Sequence, residues 1–208
     1  MRKLIIIGVI LVSITLGAFG FLKAYSQDKP FFDMFTIAKE FSLSKDHLLN
    51  YKNKIDKTLD KIKTGKSRFE KYFVTITFSK YVSEEELEKL VKEYNIKVLA
   101  IEGRSIERGT NLQGTFFITP ENGMLYDKKL LGDLLKRNDA EFKGFVAIVA
   151  NIENKDIQQL RKEQLVFLID PSADAHFVKN PKHERTNSWD GYAPNVFAEL
   201  EKYSLINP

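Results

Sequence analysis

Residues 72–101 run YFVTITFSKYVSEEELEKLVKEYNIKVLAI. Tyr72 to Phe78 is aromatic and β-branched, the composition of a strand. Ser83-Glu84-Glu85-Glu86 has the spacing of a capping box. In that motif the Ser83 hydroxyl accepts from the Glu86 backbone N–H, and the Glu86 carboxylate reaches back to the Ser83 N–H. Leu87, Leu90, Val91 and Tyr94 then fall on one helical face. Asn95 closes the helix, and Ile96 to Ile101 is the next strand. The stretch predicts one β-α-β unit.

A second unit of similar length lies at Phe142 to Asp170. Phe145 to Ile152 is an almost unbroken apolar strand. Asn154 is placed to cap a short helix that buries Ile157 and Leu160. Leu165 to Ile169 returns as a strand, stopped by Asp170-Pro171. Two such units in one small domain predict an α+β fold, a ferredoxin-like sandwich with an antiparallel sheet and two helices on one face. The domain is expected over 71–208, with an insertion at 102–141. Within the insertion, Glu102 to Gln113 is expected as a polar loop and Gly114 to Thr119 as a strand. Pro120 to Gly123 follows as a turn, and Asp127 to Lys136 as a helix burying Leu130, Leu131, Leu134 and Leu135. The tail, 171–208, starts irregularly and carries Trp189 and Tyr192 in a turn. It ends in a helix over Pro194 to Tyr203 with Val196, Phe197, Leu200 and Tyr203 inward. So much apolar surface predicts a packed tail.

Tyr72-Phe73-Val74-Thr75 followed by Ser83-Glu84-Glu85-Glu86-Leu87-Glu88-Lys89-Leu90 resembles the opening of subtilisin-propeptide-type peptidase inhibitor domains. Phe142-Lys143-Gly144-Phe145, Ile157 to Lys162 and Val166 to Asp170 resemble their second half. The resemblance implies a ferredoxin-like fold and a role as inhibitor or folding assistant of an exported serine protease. The inserted segment and the folded tail depart from that family.

Arg2 and Lys3 precede an uncharged run from Leu4 to Leu22, and Lys23 ends it. A helix of that length spans about 28 Å, close to the hydrocarbon thickness of a bilayer. Residues 1–26 are either a single-pass anchor or a signal peptide cut after Ala24-Tyr25-Ser26. The length of the run and the position of Lys23 favour the anchor. The early positive charges then keep the N-terminus in the cytoplasm and place residues from about Gln27 outside it. No Cys follows the run, so lipoprotein anchoring is excluded.

Residues 27–70 form a juxtamembrane segment. Phe31, Phe32, Met34, Phe35, Ile37 and Phe41 either lie at the membrane interface or pack on the domain. Ser44 to Thr64 is expected as an amphipathic helix with Leu48, Tyr51, Ile55, Leu59 and Ile62 on one face, stopped by Gly65. Lys52, Lys54, Lys57 and Lys61 lie on its other faces. They are either a solvated surface or a contact for anionic lipid or wall polymer.

The chain has 208 residues, a net charge of +4, 16 Phe, 8 Tyr and no Cys. Burial alone must stabilise the exported part, without disulfides. Thiol nucleophiles, thiolate metal sites and thiol redox chemistry are excluded. A Cys-free exported chain suits a bacterium with one membrane. Phe142-Lys143-Gly144-Phe145-Val146 brushes the core of the RNA-recognition motif, but Ala147 stands where a stacking aromatic is needed, so no nucleic-acid partner is expected. Asp170, Asp174, His176 and His183 cluster in sequence, without the tight pairing of a zinc site. Ser172 near Asp174 and His176 lacks a Gly-x-Ser-x-Gly elbow. No catalytic residue, metal or cofactor is therefore expected. The expectation is a cell-membrane protein with most of its chain outside the cytoplasm, binding or regulating a protein partner.

Overall fold

The computed structural model describes residues 29–65, 70–110, 112–121, 123–179 and 191–206. The apolar run Leu4–Leu22, Trp189 and His183 lie outside these residues. Among the described residues no helix is long and apolar enough to cross a membrane. The chain divides into two units, 1–31 and 32–208. Every described helix and strand lies in the second unit.

The elements in chain order are α1 (Met34–Ser42), α2 (Lys45–Gly65), β1 (Lys71–Val82), α3 (Glu84–Glu93), β2 (Lys97–Glu107) and β3 (Gln113–Ile118). Then come α4 (Lys128–Arg137), β4 (Ala140–Glu153), α5 (Asn154–Leu160), β5 (Val166–Asp170) and α6 (Phe197–Lys202). The strands form one antiparallel sheet in the order β3-β2-β4-β1-β5. In the segments β1-α3-β2 and β4-α5-β5 the two strands are not neighbours: β4 lies between β1 and β2, and β1 lies between β4 and β5. The architecture is α+β, as the two sequence units imply.

The local signals act as their chemistry requires. Ser83 Oγ accepts from Glu86 N at 3.2 Å, and Ser83 N donates to Glu86 Oε2 at 2.9 Å, so the capping box is complete. Asn95 sits at φ +46°, the left-handed conformation in which Asn is tolerated and the helix ends. Asp127 caps α4, its Oδ1 accepting from Lys129 N and Leu130 N. Gly144 has φ +146°, and a Cβ there would meet Tyr81 Cβ at 2.8 Å, so the approach of β4 to β1 needs glycine.

Strand alternation sorts β1 into two faces. Tyr72, Val74, Ile76 and Phe78 enter the main core with Leu87 and Leu90 of α3 and Ile157 and Leu160 of α5. Phe73, Thr75 and Thr77 point the other way. The same core takes Leu48, Tyr51, Ile55, Leu59 and Ile62 of α2. Each fully buried apolar side chain contributes about 1.5–3 kcal/mol. Five of them outweigh what a few exposed lysines gain at an anionic surface, up to about 1 kcal/mol each. The amphipathic helix is therefore docked on the domain, and the expected boundary near residue 70 falls inside one compact unit.

Four expectations change. Residues 102–107 are not a loop: β2 runs to Glu107 and pairs with both β3 and β4. Its polar side chains hide a strand because Glu102 and Arg104 pair with each other inside the fold. The insertion 102–141 accordingly shrinks, with β2 and β4 taking both its ends. Asn154 does not cap α5; Glu153 holds that position without a side-chain bond, while Asn154 is buried with Nδ2 3.5 Å from Ile62 O. Leu130 is 51% exposed, because α4 turns Leu131 to the core instead. The last helix is shorter than Pro194 to Tyr203: it begins at Phe197, with Val196 as its N-cap at φ −105° and ψ 14°, where the Val196 N–H is drawn to Thr77 Oγ1.

Candidate binding pocket on the second face of the sheet

Two cross-strand rows floor the second face. Thr75 pairs with Val149, which pairs with Ala100; Thr77 pairs with Ala147, which pairs with Glu102. Glu102 in turn stands opposite Phe117 of β3. Alanine and threonine on three adjacent strands leave the floor low, where neighbouring positions carry larger residues. Phe117, Met34 and the segment Tyr192–Asn195 form the walls of a pocket of about 330 Å³. That volume is at the small end of sites that hold a ligand or an inserted side chain.

The two threonines of β1 have a specific task. Thr75 Oγ1 donates to Ala193 O at 2.8 Å, and Val196 N donates to Thr77 Oγ1 at 3.3 Å. They stitch the tail along the open face, so the tail becomes a pocket wall. Phe73, Tyr192, Ala193, Ala173, Ala100 and Val149 pack together at that end.

The other end is polar. Asn195 Nδ2 donates to Glu102 Oε2, and Arg104 Nη1 lies 3.4 Å from Glu102 Oε1. Arg104 also donates to Thr115 Oγ1, and its Nε lies 3.8 Å from Glu201 Oε2. The Tyr81 hydroxyl donates to Glu201 Oε1. Desolvation raises the Glu102 carboxyl pKa, against the pull of Arg104 and Asn195. Burial, together with the bond to Glu201, pushes the Tyr81 hydroxyl up to about 12. The pocket thus combines apolar walls with one carboxyl whose side chain is 11% exposed and whose arginine partner is buried. Sequence reading missed Glu102, Arg104, Thr75 and Thr77. The available signals were the alternation through Ile106 and two Thr at i and i+2 on an otherwise apolar strand.

The residues singled out by sequence separate into two clusters. Asp170 is buried; its Oδ2 accepts from Tyr51 OH and its Oδ1 from Ser172 N at 2.8 Å. Asp174 Oδ2 accepts from Phe73 N at 2.7 Å. His176 lies between two carboxylates, Nδ1 2.5 Å from Asp174 Oδ1 and Nε2 2.6 Å from Glu70 Oε1, and its ring packs against Tyr72, tilted by 39° with centroids 4.8 Å apart. Both ring nitrogens are engaged, and Ser172 Oγ lies near Tyr51 OH at 3.4 Å. Among the described residues of this segment, Ser172 and His176 form no Ser-His pair, since each is bonded elsewhere. Among the described residues no group of three or more His, Asp or Glu is placed to hold a metal.

Of the four lysines, Lys52 Nζ is 2.9 Å from Asp56 Oδ2 and 5.5 Å from the Phe167 ring centroid. Lys54 Nζ is 2.5 Å from Glu40 Oε2. Lys57 and Lys61 are exposed. Arg161, the C-cap of α5, pairs with Asp56 and Asp60 of α2 at 3.2 and 2.8 Å, which fastens α2 from its flank.

Compared with family models, with curated proteins and with solved structures, the chain gives no match.

Proposed function

We propose that this chain is a membrane-anchored module that binds a protein partner outside the cytoplasm and performs no catalysis of its own. The observation that carries the reading is the low floor of Ala100, Ala147 and Thr75 beside the exposed Phe117. Such a hollow receives an apolar side chain of a partner, with Glu102 and Asn195 at its polar end. The bonding of Asp170, Asp174 and His176 favours a structural role for these residues over a catalytic one. The run Leu4–Leu22 is the argument for the anchor.

The fold within this reading is ferredoxin-like: β5-β1-β4-β2 carries the interleaved β-α-β pattern, and β3 is an added edge strand. That order also favours a second reading, a propeptide-like inhibitor or folding assistant of an exported serine protease. The burial of Phe197 and Leu200 counts against it, because the tail is committed to the domain. An inhibition assay of the full chain against serine proteases of the same cell would show nanomolar inhibition if this second reading held.

The binding reading is tested by placing a photoreactive phenylalanine analogue at Phe117 or Leu130 of the full chain in cells. A discrete adduct from 117, absent from 130, is expected. Ala147→Leu, which fills the floor, should remove that adduct while the melting temperature stays within a few degrees. Equal adduct patterns at both positions, or no effect of Ala147→Leu, would overturn the pocket as the binding site.

A further inference from the structure

We infer that the outer stripe of α1 rests on the bilayer surface, with Phe35 and Leu43 in the headgroup–acyl boundary. The inference rests on the anchored reading above and adds a second contact with the membrane. Phe35 is 72% exposed and Leu43 is 69% exposed. With Lys39 they stand four residues apart, so all three lie on one side of the helix; Leu43 continues it with φ −73° and ψ −42°. The opposite side is spent: Phe41 is buried in the core, and Ile37 and Ala38 pack against it. The helix therefore carries apolar residues on both sides, and only one side has a protein partner among the described residues.

An exposed Phe-Lys-Leu stripe suits a particular surface. At a lipid interface the rings and branched chains enter the boundary while a lysine stem lies along it and its ammonium stays in water. Chain length brings the stripe there. Phe35 follows the end of the apolar run at Leu22 by thirteen residues, which span at most about 47 Å when fully extended. The Asp33 cap fixes where α1 begins, its side chain accepting from Phe35 N at 3.0 Å and from Thr36 Oγ1 at 2.5 Å. Lysines of α2 are less suited to the same surface, since Lys52 and Lys54 already have carboxylate partners.

The natural absence of Cys permits a clean test. Full-length Phe35→Cys, Leu43→Cys and Leu130→Cys each take one environment-sensitive dye and are reconstituted into phosphatidylcholine–phosphatidylglycerol vesicles. Flotation after alkaline carbonate reads the anchor first. Lipid-borne quencher should then reduce dye emission at 35 and 43 about threefold more than at 130, independent of protein density in the vesicle. Flotation with equal quenching at all three sites would overturn this inference and leave the anchor standing. Shielding at 35 and 43 that disappears on dilution would assign the stripe to a second copy. Shielding from aqueous iodide that persists in detergent would assign it to the chain's own first residues; both results overturn the inference. A chain that fails to float overturns the anchor and this contact together.

Discussion

The Tyr51 hydroxyl of α2 donates to Asp170 Oδ2 at the end of β5, at 2.5 Å. One bond joins the long amphipathic helix to the last strand of the sheet. Desolvation raises the Asp170 pKa, opposed by Ser172 and Tyr51. Removing the donor leaves a buried acceptor short of a partner. Tyr51→Phe should therefore lower stability by about 1–3 kcal/mol in urea denaturation. A variant as stable as the parent would show that α2 is not fastened through this pair.

The same carboxyl sets a pH dependence. Its folded pKa is raised above the unfolded value of about 3.9. Its contribution is then fully present below that value and is lost as pH rises through the folded pKa. Glu102 is raised as well and acts in the same direction. Glu84 and Glu86 are lowered, first by Lys128 and Lys80 respectively, and act oppositely. Asp170→Asn isolates the effect: its stability relative to the parent should climb between pH 4 and neutrality. A flat difference across that range would contradict the assignment.

Leu87 and Leu160 are both fully buried, one on each β-α-β helix. Asp at either position desolvates a carboxylate without a partner and should cost about 3 kcal/mol or more. Leu130→Asp, on the exposed side of α4, should change stability by about 0.5 kcal/mol or less. Thermal melts followed by circular dichroism separate the two classes.

Gly103 lies beneath an aromatic ring. A Cβ there would stand 2.2 Å from Phe116 Cζ. Gly103→Ala should cost about 1–3 kcal/mol, since Phe116 is buried and must shift against Phe142. Adding Phe116→Leu should recover part of that loss, and an additive double variant would show that the ring is not the obstacle.

Chelator treatment should leave the melting temperature unchanged, because Asp174 and His176 have protein partners. His176→Ala should lower it, by removing the ring between Asp174, Glu70 and Tyr72. A drop on chelation would assign a metal to this segment.

The parts of the fold legible in the sequence were those in which one short pattern decides one element. The capping box at Ser83–Glu86, the apolar strand at 145–152 and the apolar stripe of α2 fall in this group. Illegible parts depend on long-range pairing. Glu102 and Arg104 resemble loop residues until Asn195, Thr115 and Glu201 supply their partners. Thr75 and Thr77 are ordinary strand residues until the tail bonds to them. The pocket needed both, so the sequence displayed its residues without displaying the site.

The proposed role depends most on the anchored location, and one labelling experiment reads that location directly. Leu130→Cys in the full chain is treated with a membrane-impermeant maleimide in intact cells, and the membrane fraction is then analysed for the labelled, full-length chain. Labelling without permeabilisation is expected, on a chain that keeps Met1–Lys23 and resists carbonate extraction. Labelling only after permeabilisation, or a soluble chain beginning near Gln27, would contradict the anchored location.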